Sequence, residues 1–308
     1  MQLLDHYQEE GYVIVPDLIP HARIDHLVDR LEHFKRMRRP FWSESIHQWI
    51  LPELDERGFM TQSMENFTRL WLSGGLNAAG NDVLLGHEIN DVMKTLQPEY
   101  GAFVHWLNHF FDRSTGSIDH IDHWYLDTDP PGKLIGAWIA LEDIHPDAGP
   151  FRFFPRSHRM PEVQELWDMD HVAFVKHCTA LCERLDAQGL GKLAIIRKGT
   201  VVFFHPFLLH GAIEQKDPRY SRKSVTGHYL PYGCLRRERQ AQRDPAELRL
   251  AKEMKQARRI GEHPVMVSHS YGDEWNFNWR GLRQYAISLA TGPRPITMDM
   301  RRRSWAKS

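Results

Sequence analysis

Two residues in a run of ten carry the chemistry: His120 and Asp122, within Ser117-Ile118-Asp119-His120-Ile121-Asp122-His123-Trp124-Tyr125-Leu126. If the run is a β-strand, side chains at i and i+2 share a face, so His120 and Asp122 project together. An imidazole nitrogen beside a carboxylate oxygen supplies two of the three protein ligands of a mononuclear non-heme iron site. The third ligand is expected to be a histidine far along the chain, on a strand folded back beside the first. His205 and His210, in Phe203-Phe204-His205-Pro206-Phe207-Leu208-Leu209-His210-Gly211, both qualify. Pro206 ends a ladder just after His205, and His210 lies where the chain re-enters a barrel mouth.

The elements that must position these residues are short strands. Tyr100–Phe111, 117–126, Leu134–Leu141, Phe151–Phe154, Thr200–His205 and Ser224–Leu230 are apolar or aromatic runs separated by Gly/Pro turns such as Asp129-Pro130-Pro131-Gly132. That spacing indicates a β-sandwich or barrel and not a βαβ sheet. Residues 161–192 read as a mostly helical insertion carrying Cys178 and Cys182 as free thiols. Before the strands come Gly11–Pro16 as a β-run, a helix over His21–Phe34, and an aromatic packing layer over 36–80 with Trp42, Trp49, Phe59, Phe67 and Trp71. A helix follows over Asp82–Leu96. Its His87-Glu88-Ile89-Asn90-Asp91 starts like a zinc-protease motif and fails at the fifth position. Residues 236–259 alternate charge at helical spacing and read as a solvated helix. The aromatic tail Tyr271–Leu289 is expected to pack back on the body or on a second subunit.

The chain has 308 residues and a net charge of −1, so bulk electrostatics give no case for nucleic acid or an anionic membrane. No apolar run is long enough to span a bilayer. The opening residues lack a signal peptide's basic and apolar regions, and three cysteines make no disulfide framework. A cytoplasmic location is expected.

Taken in order, the motifs resemble the phytanoyl-CoA dioxygenase family of iron(II)/2-oxoglutarate oxygenases. The matching pieces are His120-x-Asp122 with Trp124-Tyr125-Leu126, then Trp138-Ile139-Ala140-Leu141-Glu142-Asp143 and Gly149-Pro150-Phe151-Arg152. Pro155-Arg156-Ser157-His158, His205-Pro206-Phe207-Leu208-Leu209-His210-Gly211 and Arg222-Lys223-Ser224 follow. The resemblance covers 117–230, with Gly11–Pro16 similar to the family's opening strand. One departure is Arg156, where the family usually has Gly; the larger side chain could reach into the pocket.

The resemblance implies one domain, mainly β with flanking helices, built on a double-stranded β-helix (jelly-roll, cupin-like) core. That core would span about 100–235, with a supporting layer over 1–99 and a helical extension over 236–308. It implies His120, Asp122 and His210 as iron(II) ligands and Arg222 as partner of the distal carboxylate of 2-oxoglutarate, with O2 as the oxidant. A buried dicarboxylate tail is better held by Arg than by Lys. Ser224, on Arg222's strand face, is expected to add a hydroxyl, and Asn108, from its strand position, an amide. Arg219, in the Asp217-Pro218 turn, is the competing anchor. Trp124, on the ligand face, and Trp138, on a core strand, are expected to border cosubstrate or substrate, whereas His105, His109, His123, His158 and His228 are read as structural. In related halogenases a small residue replaces the carboxylate, so Asp122 favours hydroxylation of a small or medium metabolite. Desaturation, cyclisation and epimerisation by the same cofactors are the alternatives, and a non-enzymatic β-barrel binding protein is the reading of another class. A small-molecule substrate is the expected partner, with self-association through the C-terminal extension.

Overall fold

The computed structural model describes residues 2–43, 48–70 and 73–238, together with the strand backbones 257–259 and 266–268. In chain order the elements begin with α1 (Leu3–Glu10), β1 (Tyr12–Val15), α2 (His21–Arg36), β2 (Phe41–Ser43), β3 (Gln48–Ile50) and β4 (Met64–Glu65). Helices α3 (Leu76–Leu84) and α4 (His87–Leu96) precede β5 (Phe103–Phe111). The one-turn α5 (Asp122–Tyr125), β6 (Leu126–Asp129), β7 (Ile135–Ala140) and β8 (Phe151–Phe153) come next. The insertion is α6 (Pro161–Gln164) and α7 (His171–Ala187). The chain then returns through β9 (Lys192–Leu193), β10 (Val201–Phe204), β11 (His210–Ala212), β12 (Ser224–Pro231) and β13 (Leu235–Glu238). The last described strands are β14 (Ala257–Arg259) and β15 (Met266–Ser268).

The main sheet runs β1-β10-β7-β12-β5-β15-β14, with β4 added beside β5, and the smaller sheet is β11-β8-β9. Pairing is antiparallel except between β15 and β5. This is the mainly β, helix-flanked jelly roll expected of the sequence. Alternation along the central strands separates two cores. One face of the main sheet (Ala137, Ile139, Phe110, Val225, Tyr229) packs on α2, α3 and α4 through Leu27, Leu31, Val83 and Ile89. The opposite face (Trp138, Ala140, Val202, Phe204) closes against Phe151 and Phe153 of the smaller sheet. Side chains on this second face line the space between the sheets. Among the described residues no helix is long and apolar enough to cross a membrane.

Three expectations change. Residues 117–126 are not one strand: a single antiparallel bridge joins His120 to His210, α5 begins at Asp122, and β6 starts only at Leu126. The turn carries Trp124 into a separate cluster, stacked on Phe174 of α7 at 4.4 Å between ring centroids. Burying that ring outweighs continuing a ladder with one bridge to extend. The helix over Asp82–Leu96 is two helices broken at Leu85-Gly86. The basic stretch 236–259 is extended at both ends: Arg236 and Arg237 lie in β13, paired with β6, and Ala257–Arg259 forms β14. Residues 239–256, Trp71, the Tyr271–Leu289 tail and the side chains of Trp42 and Trp49 lie outside the description. Of the 36–80 stretch, read as a packing layer outside the core, Phe41, Met60, Met64 and Phe67 lie in the core itself.

Candidate metal centre and anion pocket

His120 and His210 are brought together by their own backbones. The N–H of each donates to the carbonyl of the other, at 2.8 and 2.9 Å. The closeness of these segments explains Gly211: a Cβ there would sit 2.5 Å from the Asp119 carboxylate and 3.2 Å from its Cα. Ile121 is extended (φ −118°, ψ 143°), so His120 and Asp122 still project to one side although no strand continues. The i, i+2 geometry therefore survives the loss of the ladder.

The result is a compact donor set. His120 Nε2 and His210 Nε2 each lie 3.6 Å from Asp122 Oδ1. All three ligand atoms fall within 4.8 Å of one another. Each imidazole has its other nitrogen committed. Nδ1–H of His120 donates to Ile118 O at 2.7 Å, and Nδ1–H of His210 to Leu208 O at 2.8 Å. That fixes the tautomer with a lone pair on Nε2, as a metal ligand requires. Burial, reinforced by His120, pushes His210 down to about 4, so it is neutral and ready to donate. Burial opposes ionisation of Asp122, but His228 and His210 together with hydrogen bonds from His120 and His228 hold it well below the usual carboxylate range. For His120 burial works downward, and its contact with Asp122 reverses the sign and raises it. Two imidazoles and one carboxylate on one side of a point leave the other side open, the ligand pattern of non-heme iron sites.

His228, read as a core histidine, turns to this site. Its Nε2 lies 3.1 Å from Asp122 Oδ2, the oxygen not directed at His120 and His210. His228 sits on β12 with the same parity as Arg222 and Ser224, which was the available signal.

Arg222 precedes β12 and is 2% exposed. Its guanidinium lies 5.2 Å from the centroid of Phe111 and 5.9 Å from that of Trp138. Among the described residues no carboxylate lies within ion-pair distance of it, and its Nε has no hydrogen-bond partner. Burial alone lowers its pKa to about 10. An unpaired buried cation costs several kcal/mol, so the pocket is built for an anion. Ser224 follows on the same face, fully buried, its Oγ also unpartnered among the described residues. Trp138 is thus a wall of this pocket. Arg219 is exposed and chelated by Asp217 in its turn. Three donor atoms, together with an unsatisfied Arg222 Nε and Ser224 Oγ, are the chemistry that an iron and a dicarboxylate need, so the residues present fit iron and 2-oxoglutarate.

Four other expectations meet different outcomes. Asn108 is a correction: it pairs with Gly227, on the face opposite Ser224, and donates through Nδ2 to Thr68 Oγ1 at 2.7 Å. Its neighbour His109 takes the inward place, across from Thr226 and 6.3 Å between centroids from His228. Trp124 is turned away, as described above. Arg156 stays out of the pocket, 64% exposed and paired with Glu9 and Glu10. Its φ of +68° is the left-handed conformation glycine adopts freely, in keeping with the glycine that the resemblance leads one to expect at this turn. His123 is structural, its Nδ1–H donating to Asp127 at 2.5 Å and its ring stacked on Phe207.

His205, the other histidine open to a ligand role, faces a different space. It lines a cleft of about 540 Å³ with Tyr7, Gln97, Lys133, His158 and Phe207, and none of the three donors borders it. Its Nδ1 accepts the Phe207 N–H at 3.2 Å.

The family described as phytanoyl-CoA dioxygenase (PhyH) matches residues 7–224, more than two-thirds of the chain. The peroxisomal phytanoyl-CoA dioxygenase of Bos taurus is 27% identical over 118 residues, 37% of this chain and 34% of the relative. That of Rattus norvegicus is 23% identical over 175 residues, 55% and 48%. The match thus spans a third to a half of these relatives' length. Among solved structures, the epimerase SnoN in complex with Fe3+, α-ketoglutarate and nogalamycin RO aligns with TM-score 0.57 at 15% identity, covering 86% of this chain and 96% of that one. The α-ketoglutarate-dependent carbocyclase SnoK from nogalamycin biosynthesis aligns with TM-score 0.56 at 17% identity, covering 76% and 85%. The non-heme monooxygenase ThoJ, as its nickel complex, aligns with TM-score 0.51 at 12% identity, covering 99% and 98%. At these identities they establish the fold.

Proposed function

We propose that this chain, which belongs to the phytanoyl-CoA dioxygenase (PhyH) family, is an iron(II)- and 2-oxoglutarate-dependent oxygenase that hydroxylates a C–H bond of a small or medium metabolite. The observation carrying this reading is the pairing of a His120–Asp122–His210 donor set with a buried Arg222 that has no carboxylate partner among the described residues. Iron(II) and 2-oxoglutarate, once bound, supply the oxidising power that breaks the substrate C–H bond, with O2 consumed and succinate and CO2 released.

The chain's own residues divide the remaining work. His120 Nε2, His210 Nε2 and Asp122 Oδ1 would hold the metal, the two imidazoles neutral and the carboxylate ionised. Arg222 and Ser224 take the distal carboxylate and set the cosubstrate's orientation in the space between the sheets. Trp138, Phe111 and Phe204 keep bulk water from that space. His109 faces inward, across from Thr226 and near His228, and is a candidate to touch substrate. Asp122 occupies the position that must be small for halide to bind, which supports hydroxylation over halogenation.

The test is a screen of candidate metabolites for stimulated succinate release, followed by product mass. A product one oxygen atom heavier supports hydroxylation. A product two hydrogens lighter replaces it with desaturation or ring closure, and unchanged mass replaces it with epimerisation. Succinate release that no iron addition restores after chelation overturns the cofactor assignment.

A further inference from the structure

The backbone on both sides of Arg222 is held by charged side chains, buried at Asp112 and part-exposed at Glu142. Asp112, fully buried just past β5, accepts the Arg222 N–H at its main-chain oxygen at 2.9 Å. Its carboxylate meets three partners from three parts of the chain. Oδ2 lies 2.6 Å from Lys35 Nζ on α2 and 2.9 Å from the Met60 N–H. Oδ1 lies 3.3 Å from Lys223 Nζ. On the other flank Glu142 accepts the Lys223 N–H at Oε1 (2.6 Å) and the Ser221 hydroxyl at Oε2 (2.8 Å). The Leu141 N–H closes the frame on Lys223 O at 3.0 Å. Glu32 joins through Lys35 at 2.8 Å.

Alternation explains why these contacts bear on the pocket. Ser221 and Lys223 turn outward into the charged cluster, so Arg222 between them turns inward. Lys35, at 3% exposure, and Asp112 have been taken fully out of water. Such a cluster contributes little net stability compared with apolar residues of the same volume. Its value lies in fixing one arrangement. An arginine that must read a carboxylate with both nitrogens needs placement within a fraction of an ångström, and long side chains do not hold that unaided.

We infer that the Asp112–Lys35–Lys223–Glu142 cluster sets the position of Arg222 and thereby the selectivity for a 2-oxo acid with a distal carboxylate. Asp112 and Glu142 act through Arg222 as positioning residues and touch no cosubstrate. The inference rests on the proposed role of Arg222 and deepens it.

The test compares two probes on the full-length, iron(II)-loaded protein without O2: 2-oxoglutarate, and 2-oxobutyrate, which lacks the distal carboxylate. Binding is followed by the metal-chelate absorption, with no turnover. The wild type is expected to prefer 2-oxoglutarate by on the order of 100-fold, the range of a charge-assisted bidentate contact. Asp112→Asn and Glu142→Gln are each expected to weaken 2-oxoglutarate about tenfold or more while leaving 2-oxobutyrate within about twofold. Preference retained in both variants overturns the inference, and so does equal weakening of both acids, which marks general damage. If Asp112→Asn does not fold, Glu142→Gln decides by the same criteria. A wild type that binds both acids equally removes Arg222's role itself, and the inference with it.

Discussion

His228 Nε2 and Asp122 Oδ2 lie 3.1 Å apart, so the two oxygens of one carboxylate have separate duties. Oδ1 faces His120 and His210, and Oδ2 is tied to β12. A carboxylate gripped by one oxygen cannot swing to chelate with both. The metal-facing donor is thus fixed by a residue that does not face the metal. His228→Phe should lower iron(II) affinity by about 10- to 100-fold, the usual cost of losing such a supporting hydrogen bond. Equilibrium dialysis on the purified variant checks this; unchanged affinity contradicts the role.

Arg222 is the second test. Arg222→Met keeps the stem and removes the uncompensated charge. It should abolish 2-oxoglutarate binding at concentrations that saturate the wild type, without loss of thermal stability in cosubstrate-free buffer, because the buried charge it removes has no carboxylate partner among the described residues. Arg222→Lys should rescue only in part, since an ammonium cannot grip a carboxylate with two parallel bonds. Isothermal titration with 2-oxoglutarate distinguishes the three proteins.

Gly136 illustrates how packing reaches the donors. A Cβ there would lie 2.2 to 2.7 Å from ring atoms of Phe204, whose ring packs on His210 at 4.8 Å between centroids. Gly136→Ala must push that ring. Overpacking of this kind costs about 1–3 kcal/mol. A lower urea midpoint together with weaker iron(II) binding is expected; a variant indistinguishable from wild type in both contradicts it.

The metal-free protein should be acid-sensitive. Burial first, then neighbouring imidazoles, pushes His109 and His205 down to about 3 and His210 to about 4. In the unfolded chain these groups titrate near pH 6.5. Between those values the unfolded state binds protons the folded state refuses, so stability falls as pH falls. His120, raised by Asp122, acts in the opposite sense: its contribution is present in acid and lost as pH rises through its folded value. Allowing for partial exposure, a net loss of roughly 2–4 kcal/mol between pH 6.5 and 5 is expected. Urea unfolding with chelator across that range measures it; a flat profile contradicts it.

What the amino-acid pattern disclosed, and what it hid, follow from physics. His120, Asp122, His210 and Arg222 stood out because an iron and a dicarboxylate demand uncommon residue types in a fixed order. The barrel was legible because its strands are short, apolar and punctuated by Gly and Pro. The form of the first ligand segment was not, since a bridge followed by a helical turn has the same polar–apolar alternation as a strand. Asn108 and His109 differ by one position, and one position decides the face; the register of β5 against β12 is a tertiary fact. His228 was hidden because a strand histidine reads the same whether it fills a core or steadies a carboxylate. Arg236 looked like part of a solvated helix, yet it lies in β13 with its guanidinium 5.1 Å from the Trp106 centroid. The ion cluster around Asp112 joins residues from 32 to 223, and no local window contains it.

The central claim is that one donor set and one arginine together hold iron(II) and 2-oxoglutarate. Anaerobic addition of both to the purified protein tests it most directly. A weak absorption band at about 500 nm, characteristic of such chelates, is expected in the wild type and absent in His120→Ala, Asp122→Ala and His210→Ala. No band in the wild type, or a band that survives in all three variants, would contradict it.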